Sequence, residues 1–194
     1  MFVIVSGSSG VGKNTILNEL FKLDSNIKNF VSYTTRDMRE GEIDGVHYHF
    51  LSKPEFQKLN EQGKFCEVEE IHGNYYGCQI EDILHAIDSD QILIKDLGVE
   101  GAQNLEKIFG QDKIVTIFID APRDVLRQRL IDRGEKALEL RLSRYDYEHT
   151  FVSNYDYVVQ NIDLAQSVKQ VLSIIREHQF QKKEQCQKQN EIIQ

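Results

Sequence analysis

The sequence predicts an α/β fold: a parallel sheet with helices on both faces. Three observations carry that reading. A short apolar run, Phe2 to Ser6, ends at glycines and leads into a helical pattern. Two further apolar runs, "QILIKDL" and "KIVTIFID", read as buried parallel strands, each with a helical pattern after it. A last run, "YDYVVQN", precedes a long helical segment. Alternation of this kind places helices over both faces of one sheet. A chain of 194 residues suits one domain of ordinary size with an inserted lobe.

In chain order, the first helix begins near Lys13, with Ile16, Leu17 and Leu20 on its inner face. "NFVSYTTR" reads as a short strand. From Asp37 to about Glu81 the pattern changes to polar turns ("REGEIDG") and short strands ("VHYHF", "KFCEVEEI"). A brief helix starts at "SKPEF", where Ser52 can cap and Pro54 suits the first turn. The α/β rhythm then resumes. A helix covers "EGAQNLEKIFG", another "PRDVLRQRLIDRG", and a charged one "EKALELRLSRYDYEHT". Asp163 or Asn161 caps the terminal helix, expected to about Gln179, with the polar tail beyond fraying or projecting as helix.

Composition excludes several classes. Net charge is −8, which argues against a general nucleic-acid binder. The apolar runs are too short to span a membrane, and no basic-then-apolar leader opens the chain. Three cysteines without C-x-x-C spacing imply neither a disulfide framework nor a zinc site, which fits a reducing cytoplasm. Arginine is uneven: Arg36 and Arg39 form one group, and Arg123, Arg127, Arg129, Arg133, Arg141 and Arg144 another. Such clusters in an acidic protein suggest a local anionic ligand; the alternative is solvated helix faces.

The chemistry begins at "GSSGVGKNT", Gly7 to Thr15. It fits the phosphate-loop pattern G-x-x-x-x-G-K-[ST] up to the last position, where Asn14 replaces the hydroxyl. Glycines let backbone N–H groups of Gly7, Ser8, Ser9, Gly10, Val11 and Gly12 turn towards an anion, and the helix that follows adds its positive end. Lys13 can bridge β- and γ-phosphates. Thr15, one residue late on the same turn, can supply the metal-binding hydroxyl; Asn14 offers only an amide. A second anion site is written in "VSYTTRDMREGEIDGVHYHF" and "KFCEVEEIHGNYYGC". Arg36 and Arg39 could clamp a phosphate, helped by the phenols of Tyr48 and Tyr76. A buried carboxylate such as Glu67 could accept two N–H groups from guanine, a pair that adenine lacks. Singly, each tyrosine could be a half-buried strand aromatic, Glu67 part of a solvated acidic strand, and Arg141 a partner of Glu148 or another helix neighbour.

These motifs, with "Y-D-Y-V-V-x-N", resemble the guanylate kinase family of P-loop nucleoside monophosphate kinases from about Phe2 to Ile175. The resemblance implies transfer of the ATP γ-phosphoryl group to GMP or dGMP, giving GDP and ADP, with Mg²⁺ accompanying ATP. It implies a P-loop core over 1–32 and 81–194, a short helical lid at about 127–150, and an inserted GMP-binding lobe over 33–80. Ser32 and Glu67 would read guanine, and Arg36, Arg39, Tyr48 and Tyr76 would hold its phosphate. Arg133 and Arg141 would close over the transferring group, Asn161 would lie near adenine, and Asp96 near the magnesium water shell. Small-molecule substrates, no nucleic acid, no membrane, a cytoplasmic setting and a monomer or homodimer complete the expectation.

Four departures from the family pattern stand out. Asn14 follows the loop lysine, and Gly98 removes the second aspartate of "D-I-D-V-Q-G", here "DLGVEG". Cys78 replaces a Ser or Thr that donates to guanine, and a thiol donates weakly. The lid between "RG" and "RL" is shorter by about three residues. An active kinase, a kinase-like module that binds nucleotide or protein, and a monophosphate kinase of altered base choice are therefore the competing expectations.

Overall fold

The computed structural model describes residues 1–192. They fall into two compact units: residues 1–5 with 26–116, and residues 6–25 with 117 onwards.

In the first unit, three strands run parallel. β7 (Ile92–Asp96) lies between β1 (Phe2–Ser6) and β2 (Ile27–Asn29), with Phe2 opposite Leu93, Val5 opposite Asp96 and Ile27 opposite Ile92. Every residue of β1 is buried, as a strand covered on both faces requires. A second sheet has the order β4-β3-β6-β5, from β3 (Tyr33–Thr34), β4 (His49–Phe50), β5 (Phe65–Ile71) and β6 (Asn74–Gln79). β5 and β6 form an antiparallel hairpin closed by His72 and Gly73, both at positive φ. Helix α2 (Lys53–Glu61) starts at the expected cap: Ser52 and Glu55 form a reciprocal capping box, and Pro54 sits in the first turn. Its Phe56 stacks on Phe65 at 4.3 Å and on Tyr75 at 5.7 Å, which fastens the helix to the hairpin. Helices α3 (Ile80–Asp88) and α4 (Val99–Phe109) complete the unit.

In the second unit, β8 (Ile114–Asp120) and β9 (Tyr157–Gln160) pair in parallel, with Ile117 opposite Tyr157 and Asp120 opposite Gln160. Helix α1 (Lys13–Leu23) buries Ile16, Leu17 and Leu20 as its periodicity predicts and packs on α7 (Leu164–Ile192), whose Val168, Val171, Ile174 and Ile175 are buried. Helices α5 (Arg123–Asp132) and α6 (Leu138–His149) bury Leu126, Leu130, Leu142 and Tyr145. Of the two candidate caps for α7, Asp163 takes the role: its Oδ1 accepts from the Gln166 N–H at 2.8 Å.

Four elements differ from expectation or settle an open alternative. The "NFVSYTTR" strand is split, because Phe30 still donates to Ile94 O at 2.8 Å beside β7 while Tyr33 already pairs with Gly77 in the second sheet. Helix α3 went unread, although Ile83, Ala86 and Ile87 sit at helical spacing and are buried. The charged lid helix starts at Leu138 rather than Glu135, since Gly134 has φ +72 and the Glu135 carboxylate accepts from Ala137 N, which holds the segment as a turn. Helix α7 runs past Gln179 to Ile192.

Candidate active site

The phosphate loop belongs to the second unit and is shaped by its glycines. Gly7, Gly10 and Gly12 all have positive φ. At Gly7 a Cβ would stand 2.1 Å from the Ile119 carbonyl oxygen, and at Gly12 2.3 Å from Asn161 Nδ2. These positions therefore exclude side chains on backbone angle and on space alike. Ser8 is buried and donates to the Glu148 carboxylate at 2.5 Å; Arg144 holds the other oxygen of Glu148 at 3.0 Å. Asn161 is buried and donates from Nδ2 to Val11 O at 2.7 Å. Arg129 reaches the same carbonyl at 3.3 Å and Asn161 O at 2.8 Å. The loop is thus tied to α6 through Ser8 and to α5 and the end of β9 through Val11. Lys13 donates its ammonium to the Gly7 carbonyl. Asn14 and Thr15 are both exposed on the first turn of α1.

The lid arginines are brought together by a residue the sequence reading passed over. Glu135 Oε2 lies 3.3 Å from Arg133 Nη2 and 3.4 Å from Arg141 Nε. Arg133 Nη2 also reaches Ser9 Oγ at 3.4 Å. The hydrogen bond from the Ala137 N–H, then the two guanidinium groups, hold the Glu135 carboxyl below its usual range. Glu148, weighed as a partner for Arg141, pairs with Arg144 instead.

In the first unit, Arg36 lies in a cage. Its Nη1 and Nη2 donate to Glu42 at 2.9 and 2.7 Å, and its Cζ stands 5.5 Å from the Tyr48 ring and 5.6 Å from the Phe50 ring. Tyr48 and Tyr76 meet edge to face at 6.0 Å. Glu42 also accepts from the Arg39 backbone N–H at 2.7 Å. The Arg36 hydrogen bond lowers the Glu42 carboxyl to about 2 and the return contact raises Arg36. The Arg39 side chain is exposed. So Arg36, Tyr48 and Tyr76 converge as expected, with Glu42 occupying the fork of Arg36.

The base-reading candidates lie on the same unit. Glu67 and Cys78 are directly paired across β5 and β6. Ser32 is buried and accepts from Lys95 Nζ at 2.8 Å. Burial pushes the Glu67 carboxyl up, opposed by the Lys95 charge, and burial pushes the Cys78 thiol up to about 12, so Cys78 stays a thiol. Lys95 was the missed member here; its signal was a lone cation inside the apolar strand "QILIKDL". Asp96 follows it, exposed at the end of β7. Gly98 caps α4 with an ordinary φ of −65, and a Cβ there would meet only Glu100 Oε2 at 3.8 Å.

Among the described residues no group of three or more His, Cys, Asp or Glu could hold a metal. A hydroxyl such as that of Thr15 at a helix N-terminus fits an ion that arrives with nucleotide phosphates and keeps most of its waters.

A strand, a glycine loop tied from beneath and a lysine on the first turn of the next helix define a P-loop nucleotide-binding protein of the α/β class. The sequence pattern of the guanylate kinase family matches residues 1–178. A guanylate kinase of Helicobacter hepaticus is 36% identical over 190 residues, covering 96% of this chain and 94% of its own. One from Campylobacter jejuni strain RM1221 is 38% identical over 188 residues, covering 94% and 91%. The crystal structure of guanylate kinase from Anaplasma phagocytophilum aligns with a TM-score of 0.70 and 28% identity, covering 92% of this chain and 86% of that one. The chain belongs to the guanylate kinase family.

Proposed function

We propose that this protein is a guanylate kinase: it transfers the γ-phosphoryl group of ATP to GMP or dGMP, giving ADP and GDP or dGDP in purine nucleotide metabolism. The observation that carries this is the first unit's pairing of an arginine fork flanked by two phenols with a half-buried carboxylate, Glu67, in the same unit. One binds a dianion, and the other accepts the paired N–H groups of a guanine edge.

Phosphoryl transfer is mainly positioning and charge stabilisation. On the ATP side, N–H groups from Gly7 to Thr15 cradle phosphates, and Lys13 exchanges the Gly7 carbonyl for phosphate oxygens. Arg133 and Arg141 exchange Glu135 for the transferring group, with residues 127–150 serving as the lid. Asn161 and Arg129 support the loop through Val11, and Asn161 carries the adenine-side role through that support. On the GMP side, residues 33–80 form the binding lobe. Arg36 exchanges Glu42 for the GMP phosphate, Arg39 supplies a second cation, and Tyr48 and Tyr76 donate phenols. Ser32, Glu67 and Cys78 face the base. Mg²⁺ supplies charge neutralisation across the β- and γ-phosphates when bound with ATP; Thr15 would hold it, and Asp96 would hydrogen-bond its waters.

Among the described residues no helix is long and apolar enough to cross a membrane. We place it in the cytoplasm as a monomer or homodimer using small-molecule substrates, and a net charge of −8 supports the reading without nucleic acid. The test is steady-state ADP release with GMP, dGMP, AMP, CMP and UMP. GMP and dGMP should turn over and the others poorly. No release with GMP, or a preference for AMP, would reject the function.

A further inference from the structure

The guanine site of this chain lacks the second aspartate at Gly98 and has a weak donor at Cys78. It contains instead a cation that the family pattern does not assign. Lys95 stands one residue before the end of β7, and its Nζ donates to Ser32 Oγ at 2.8 Å. Ser32 is 1% exposed and Lys95 is half-buried, so the contact is part-buried. An ammonium has three donors and no acceptor, whereas a hydroxyl has one proton and two lone pairs. With Lys95 on one lone pair, the Ser32 proton is left for another partner, and the ammonium charge beside it favours an acceptor there over a second donor.

That direction carries information. A 6-oxo purine presents an acceptor at its sixth position; a 6-amino purine presents a donor. Glu67 reads the neighbouring N–H edge, where GMP offers two donors and IMP one. The charge of Lys95 also acts on Glu67 and Cys78, favouring the carboxylate that reading requires.

Resting on the guanylate kinase reading, we propose that Lys95 is a specificity-determining residue: it frees the Ser32 proton for the base, sets a positive charge behind it, and so selects a 6-oxo purine over a 6-amino purine. Lys95 is a positioning residue here, acting through Ser32. It offsets selectivity that Gly98 gives up.

The test compares Lys95→Met, Lys95→Gln and Lys95→Arg with the parent enzyme at saturating Mg-ATP, using GMP, IMP and AMP. Lys95→Met should lower kcat/KM for GMP and IMP together by about tenfold or more, through KM, while AMP turnover does not fall. The GMP-to-AMP ratio should drop by the same factor, with the KM for ATP unchanged. Lys95→Arg keeps a donor-only cation and should restore most of the ratio. Lys95→Gln can accept as well as donate; it should lose the ratio and serves as the readout if the methionine variant fails to fold. An unchanged GMP-to-AMP ratio in folded Lys95→Met or Lys95→Gln overturns the assignment while leaving the kinase reading intact. Absence of any GMP preference in the parent enzyme overturns both.

Discussion

Alanine at Gly12 should destabilise the second unit and weaken ATP use. Gly12 has φ +97, and an L residue in the left-handed region costs about 1–2 kcal/mol. The added Cβ would stand 2.3 Å from Asn161 Nδ2, so the amide must move. That amide donates to Val11 O in a buried setting, and Val11 O keeps Arg129 as a second donor. The main loss is therefore the orphaned Nδ2 donor, about 1–3 kcal/mol. Together the two effects amount to about 2–5 kcal/mol. Urea unfolding of Gly12→Ala would read this directly, with the KM for ATP measured alongside. Asn161→Ala removes the group that collides, so the double variant should recover at least about 1 kcal/mol relative to the sum of the single losses. A loss below about 1 kcal/mol in Gly12→Ala, or strict additivity with Asn161→Ala, would refute the argument that the loop rests on this amide.

Thr15→Val should raise the magnesium and ATP requirements far more than Asn14→Gly; the opposite order in a magnesium titration would assign the contact to Asn14. Glu67 has its carboxyl raised by burial above 4.5, so kcat/KM for GMP should fall as pH drops through that raised value while the KM for ATP does not follow. The same shift means that the folded state holds the Glu67 proton more tightly than the unfolded chain. Its stabilising contribution is present at low pH and lost as pH rises through the folded value. Glu67→Gln should therefore be at least as stable as the parent at neutral pH while losing GMP turnover, and a destabilised variant with normal turnover would contradict both claims. Gly98→Asp should fold normally, because the added Cβ meets only Glu100 at 3.8 Å, and should tighten GMP binding; equilibrium titration of GMP checks it.

The sequence disclosed whatever repeats along the chain or sits in a fixed local pattern. Phe2–Ser6 as a buried strand, the inner face of α1 and the Ser52 cap all follow from spacing within a few residues. The convergence of Arg36, Tyr48 and Tyr76 was legible because family motifs encode it. What stayed hidden depends on side chains from distant segments meeting. Glu148 lies 140 positions from Ser8, and Asn161 lies 150 from Val11. No local period signals either. Lys95 was visible as an oddity in an apolar strand, but its partner Ser32 lies 63 positions away on a connection between two sheets. Glu42 and Glu135 were in plain view beside the arginines they pair with, and charge patterning alone could not say which carboxylates would fold back.

Those two carboxylates change how the anion sites respond to their medium. A bare arginine cluster gathers small anions from solution, and binding a phosphate then releases them, so affinity falls steeply as salt rises. Here Glu42 and Glu135 act as tethered counterions to Arg36 and to Arg133 with Arg141. On the proposed function, a phosphate reaching either fork would displace a side chain instead of freeing ions into solution. On that reading, an incoming phosphate would compete with a carboxylate that cannot diffuse away, and its affinity should fall less with added salt than at a bare arginine cluster.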